Sequence, residues 1–153
     1  MKTLISSLTI FLFIASCAPS VKNKKAVYLQ TDEFSKFNYP FSEAVRYGNI
    51  LYASGQIGDL PETGKLVEGG IVAETNQAMK NIKAVLERYG SSMDNVIKCT
   101  CMLADIAEWS QMSQEYIKYF PNHKPARSAF GTTGLALGAR VEIECMAYID
   151  HDR

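Results

Sequence analysis

Between residues 73 and 89 apolar side chains recur every three to four positions, at Ala78, Ile82, Val85, Leu86 and Tyr89. Glu74, Lys80, Lys83 and Glu87 fall on the other side of that period, so the segment predicts an amphipathic helix with Gly90 as its stop. The period then drops to two. Ile97, Cys99, Cys101 and Leu103 alternate with Lys98, Thr100 and Met102, which predicts a strand over 96–103. Asp105 followed by Glu108 matches a capping box. The helix it opens turns Trp109, Met112, Tyr116 and Tyr119 or Phe120 inward and ends at Pro121. A final strand over 140–149 puts Val141, Ile143, Cys145, Ala147 and Ile149 on an apolar face. Glu142, Glu144, Met146 and Tyr148 share the opposite face, a surface better suited to a subunit interface or a cleft than to open water. Upstream, β-rich runs flank Gly48-Asn49 as a hairpin, and Pro61-Glu62-Thr63-Gly64 reads as a second turn. The pattern is strand–strand–helix–strand–helix–strand. Both helices fall on one face of an α+β layer, and its bare face invites oligomerisation.

The N-terminus follows a different logic. Lys2 precedes an apolar stretch from Leu4 to Ile14, then Ile14-Ala15-Ser16-Cys17. That is the order of a secretory signal, too short for a comfortable membrane span. Small residues directly before a cysteine resemble a bacterial lipobox, which predicts a signal peptide over 1–16 and lipidation of Cys17. An ordinary signal peptide with a chance cysteine is the competing reading. Acyl chains would then tether the mature protein to the bacterial cell envelope as an exported lipoprotein. Residues 17–30 include Pro, Ser, Asn and three lysines and read as a flexible tether, leaving 31–153 as one domain. The chain carries 16 basic and 16 acidic residues with no basic stripe, which argues against a nucleic-acid partner. Besides Cys17 there are Cys99, Cys101 and Cys145, at spacings that match no zinc site. Cys99 and Cys101 lie two apart on one strand face, a poor geometry for a mutual bridge, so all three read as small buried hydrophobes rather than as a redox device.

Candidate chemistry concentrates in two residues. Arg127 sits in the run Lys124-Pro125-Ala126-Arg127-Ser128, and Glu142 lies 15 residues on in Val141-Glu142-Ile143-Glu144. An arginine fork binds a carboxylate bidentately, and a half-enclosed glutamate with a raised pKa can relay protons for water. Together with Pro40-Phe41-Ser42-Glu43-Ala44, Gly48-Asn49, Ser54-Gly55-Gln56-Ile57, Thr63-Gly64, the helix from Gln77 to Leu86 and Phe120, these blocks resemble the RidA/YjgF family in order and spacing. The match runs from about Phe37 to Ala147.

The resemblance implies a chorismate-mutase-like α+β fold, a mixed sheet with two helices on one face, and a homotrimer with clefts at the subunit interfaces. It implies hydrolysis of 2-imino and 2-enamino acids to 2-oxo acids and ammonia, without metal or organic cofactor. Carried over residue by residue, Arg127 binds the substrate carboxylate and Glu142 assists water. Phe41, Ser54, Gly55 and Ser113 line the pocket. Phe41 stands where the family commonly has tyrosine, Glu43 where it has glutamine, Ala129 where a cysteine is frequent, and Ser113 where some members have asparagine. These departures bear on substrate preference, and the loss of the tyrosine hydroxyl bears on rate.

Each residue has a competing role. Arg127 can be a structural arginine paired with an acid of a partner subunit, for instance Glu144. Glu142 can be an interface ion-pair residue, and Ser54 and Gly55 can be strand-end packing. The function expected is therefore imine deamination. The rivals are a non-catalytic module on the same fold, binding a small carboxylate or a partner protein, and a holdase that uses apolar surface.

Overall fold

A computed structural model describes residues 25–150. The signal peptide, Cys17 and most of the expected tether lie outside the described residues. The chain orders as β1 (Ala26–Leu29), a short α1 (Asp32–Ser35), β2 (Ala44–Tyr47), β3 (Ile50–Ile57), α2 (Gly70–Arg88), β4 (Val96–Leu103), α3 (Trp109–Tyr116), β5 (Ala126–Gly131) and β6 (Val141–Tyr148). The strands form one sheet in the order β1-β2-β3-β6-β4-β5. Only the β4–β5 pair is parallel, so the sheet is mixed as expected. Two of its strands, β1 and β5, were not separate elements of the sequence pattern, and β1 falls within the span read as tether.

Local rules explain most of the frame. Tyr47 pairs with Ile50 around Gly48-Asn49, with Gly48 at φ 66° supplying the turn conformation that side chains resist. At the other end of α2 the Ser91 N–H donates to Leu86 O at 2.8 Å and the Gly90 N–H to Glu87 O at 3.3 Å. That paired pattern is a Schellman cap, and Gly90 occupies its left-handed position. Ala78, Met79, Ile82 and Leu86 of α2 are fully enclosed against Leu51, Leu103, Val141 and Ile143 of the sheet. Each such Leu or Ile contributes about 1.5–3 kcal/mol by leaving water. Helices therefore cover one sheet face, and Tyr52, Phe130, Met146 and Tyr148 stand exposed on the other.

Five expectations change. Cys99 and Cys145 form a disulfide, because antiparallel β4 and β6 put them directly opposite each other; Cys101 alone stays a buried thiol. Glu74 is not outward-facing but only 5% exposed. Its carboxylate accepts the backbone N–H of Arg140 at 2.8 Å, so a non-local partner overrides the helical period. Ile97 turns outward, 44% exposed, since the β4–β6 register shifts between Val96 and Lys98 and Val96 takes the inward place. The Asp105 carboxylate does accept from the Ala107 N–H at 2.9 Å, but Glu108 does not complete the box. It grips the Arg140 guanidinium instead. Trp109 is 45% exposed rather than inward, while Met112, Tyr116 and Phe120 are buried.

Candidate active site

Arg127 is the second residue of β5 and lies in register with Cys99 of β4. Register partners in a parallel ladder point to the same side, and Cys99 is sealed on the helix-covered face. The Arg127 side chain accordingly meets α3. One of its N–H groups donates to Ser113 Oγ at 3.1 Å, and the guanidinium carbon lies 5.3 Å from the Trp109 ring centre and 5.1 Å from that of Tyr116. Two ring faces and a hydroxyl fix the fork without neutralising it. Among the described residues no carboxylate pairs with Arg127, which leaves its charge open to a group from outside the chain, a ligand or an acid of a partner subunit.

The arginine forms part of the wall of an open cleft of about 460 Å³. Trp109, Ser113 and Tyr116 of α3 face Lys124 and Pro125 of the loop that enters β5, and no acidic side chain lines it. Tyr116 is buried, its hydroxyl has no hydrogen-bond partner among the described residues, and burial raises its pKa so that it stays a donor. Trp109 and Tyr116 were expected only as packing residues. Their spacing to Ser113, four before and three after, already put all three on one helical stripe.

Glu142 belongs to a second constellation. Its neighbours Val141 and Ile143 are fully buried under the helices, so its side chain takes the opposite face of the sheet. There it lies against Gly55. The β3–β6 register shifts between Ala53 and Gln56, so Ser54 and Gly55 form a bulge opposite Glu144. A Cβ at Gly55 would sit 2.0 Å from Glu142 Oε1, which shows that glycine is what leaves room for the carboxylate. Burial is the main cause raising the Glu142 pKa above its ordinary 4.5, and the nearby Glu144 charge adds to it. The Ser54 hydroxyl donates to Ser42 O at 2.7 Å and the Ser54 N–H to Glu43 O at 3.0 Å, which ties the bulge to the segment carrying Phe41. Phe41 is half exposed and stacks on Tyr39 at 5.3 Å.

One chain therefore gathers the expected residues in two groups: Arg127 with Ser113, and Glu142 with Gly55, Ser54 and the Phe41 segment. The two groups stand on opposite faces of the sheet. The side chain of Glu43, at the position of the family's glutamine, is buried and takes no part in either. It accepts from the Thr31 N–H at 3.1 Å, from Arg88 at 2.8 Å and from the Tyr89 hydroxyl.

By class this is a small α+β protein with an arginine held over an aromatic cleft, a carboxylate set in a glycine bulge, and a sheet face left open. Comparison with known proteins narrows the class. The sequence profile of the family described as Endoribonuclease L-PSP matches residues 34–149. The chain is 37% identical over 133 residues to the chloroplastic Reactive Intermediate Deaminase A of Arabidopsis thaliana, covering 87% of this chain and 71% of that one. It is 42% identical over 108 residues to the human 2-iminobutanoate/2-iminopropanoate deaminase, covering 71% and 79% respectively. Among solved structures, yeast YEO7 superimposes with a TM-score of 0.71 at 41% identity, over 73% of this chain and 89% of that one. The Escherichia coli YjgF gene product gives 0.67 at 29% identity, over 71% and 87%. The chain belongs to the RidA/YjgF family.

Proposed function

We propose that this protein hydrolyses 2-imino and 2-enamino acids to 2-oxo acids and ammonia, at a site completed by a second copy of the chain. The observation that carries the reading is Arg127. It is an arginine with no carboxylate partner among the described residues, held by Trp109, Tyr116 and Ser113 at the wall of an acid-free cleft. Such a group is prepared for a small carboxylate. Relatives named as 2-iminobutanoate/2-iminopropanoate deaminases at 42–44% identity, and one named as a reactive intermediate deaminase at 37%, support the reaction class. An E. coli relative, TdcF, 26% identical, has been solved with bound serine, an amino acid whose carboxylate is the group Arg127 is suited to hold.

The reaction follows from the two half-sites. Arg127 holds the substrate carboxylate and so fixes C2. Glu142 of the neighbouring copy takes a proton from water as its oxygen bonds to C2 and the C=N π electrons pass to nitrogen. The same carboxyl returns that proton to nitrogen, giving a carbinolamine, and then relays the C2 hydroxyl proton to nitrogen as the C2–N bond breaks, so that ammonia leaves and the 2-oxo group forms. A pKa raised by burial above the ordinary 4.5 makes the Glu142 carboxylate a stronger base for water and lets it hold the proton it later returns. The apolar open face, with Tyr52, Phe130, Met146 and Tyr148, supports a homotrimer that brings the half-sites together.

The test is ammonia release from freshly generated 2-iminobutanoate. Arg127→Ala should lower kcat/KM by roughly ten- to a hundredfold, the value of charge-assisted hydrogen bonds of about 1.5–3 kcal/mol. Equal activity in the variant and the parent would sink the proposal. The separation of Arg127 from Glu142 within one chain favours a second reading, a carboxylate-binding module without turnover; binding of a 2-oxo acid with no ammonia release would select it.

Export as an envelope lipoprotein rests on Lys2 to Cys17 and remains part of the proposal. The Cys99–Cys145 disulfide supports it, since such bridges persist in oxidising compartments. Palmitate labelling of Cys17, lost in Cys17→Ala, is the direct check.

A further inference from the structure

We propose that Lys124 makes this site selective for dianionic substrates, so that the cleft takes 2-imino dicarboxylic acids of four or five carbons in preference to monocarboxylic ones. The inference rests on the deaminase reading of the same cleft and adds the substrate class. Arg127 and Lys124 line one cleft of about 460 Å³ that contains no acidic side chain. Lys124 is exposed and, among the described residues, makes no ion pair or side-chain hydrogen bond. A second cation without a counter-charge, beside an arginine already assigned to one carboxylate, asks for a second anionic group on the ligand.

The chain geometry suits that size. Lys124 and Arg127 are three residues apart, so their Cα atoms are separated by at most about 10 Å. Both side chains are long enough to converge from that span onto carboxylates roughly 4–5 Å apart, the separation of carboxyl carbons joined through two or three others. Pro125 stands between them with its φ held near −65°, which narrows the backbone conformations that separate the two Cα atoms. The hydroxyls of Ser110 and Tyr116 and the amide of Gln114 add neutral donors to the same wall, and none of them repels a second carboxylate. A monoanionic substrate with an apolar tail could rest on Trp109 and Ile117, but it would leave the ammonium without a partner.

The experiment compares kcat/KM for the 2-imino derivative of a four-carbon diacid with that for 2-iminobutanoate, each generated in place, in the parent, Lys124→Ala, Lys124→Glu and Lys124→Arg. The quantity read is the ratio of the two. The parent should favour the diacid, Lys124→Ala should lower the ratio about two- to fivefold, Lys124→Glu should lower it further, and Lys124→Arg should retain it. Higher salt should shrink the parent's preference. A ratio unchanged by Lys124→Ala overturns the proposal. A parallel titration with 2-oxoglutarate and 2-oxobutanoate, followed by NMR, reads selectivity without turnover. If no imine is hydrolysed but 2-oxoglutarate still binds more tightly in a Lys124-dependent way, the deaminase reading fails and the selectivity stands. If imines are hydrolysed with no diacid preference, the reverse holds.

Discussion

Gly55 matters because of what it leaves empty. The Cβ of an alanine there would meet the outer oxygen of Glu142 at 2.0 Å. That oxygen ends a flexible side chain, so the carboxyl can swing aside and the sheet need not shift. Gly55→Ala should therefore leave the melting temperature within a few degrees of the parent while lowering kcat at least tenfold, measured by calorimetry and ammonia release on one preparation. A large stability loss would instead mean that Glu142 is rigidly held. Glu142 itself carries a pH signature. Its folded pKa lies above the ordinary 4.5, so its contribution to stability is complete below that value and is lost as pH rises through the folded one. Glu142→Gln should gain stability on the parent as pH increases above 4.5, and the acid limb of the kcat/KM profile should disappear with it. Both residues were legible in the sequence by their family blocks. Their contact was not, because it depends on a bulge that slips the β3–β6 register.

Among the elements, β4 and β6 show where sequence reasoning stopped. Each was readable from a period of two, and so was the apolar face of β6. What the pattern lacks is adjacency: residues 46 apart become cross-strand partners only once β6 inserts between β3 and β4. Cys101 is the cysteine near Cys99 in sequence, while the disulfide partner of Cys99, Cys145, comes from another strand. Strand β5 was hard to see for a related reason. Its alternation of Ala126, Arg127, Ser128 and Ala129 is weakly apolar, and its place is secured by parallel pairing to β4 rather than by its own pattern. Glu74 and Glu108 follow the same rule, since each answers to Arg140, far away in the chain. The disulfide closes a loop across 46 residues, so Cys145→Ser should cost about 2–4 kcal/mol. Denaturant unfolding checks this. The parent's midpoint should fall on reduction and the variant's should not; a midpoint equal in the two proteins would mean the bridge adds nothing.

For the whole molecule, the decisive fact is that Arg127 and Glu142 occupy opposite faces of one sheet. Arg127 shares its side with α3, and Glu142 shares its side with Tyr52, Met146 and Tyr148. A chain on its own holds two half-sites and cannot align them on one substrate. The proposed association through the open face would give each half a complement, and it would cover aromatic and methionine surface that water otherwise meets. The same arrangement makes the two roles separable between chains. Arg127→Ala and Glu142→Gln should each retain at most about a tenth of the parent's rate alone, since each removes one half from every site. Unfolded together in equal amounts and refolded, they should form mixed rings in which about a quarter of the sites combine an intact arginine with an intact glutamate. Ammonia release from 2-iminobutanoate by that mixture is the most direct measurement of a shared site. Recovery of about a quarter of the parent's rate is the predicted result, and a mixture no more active than either variant refolded alone would contradict it.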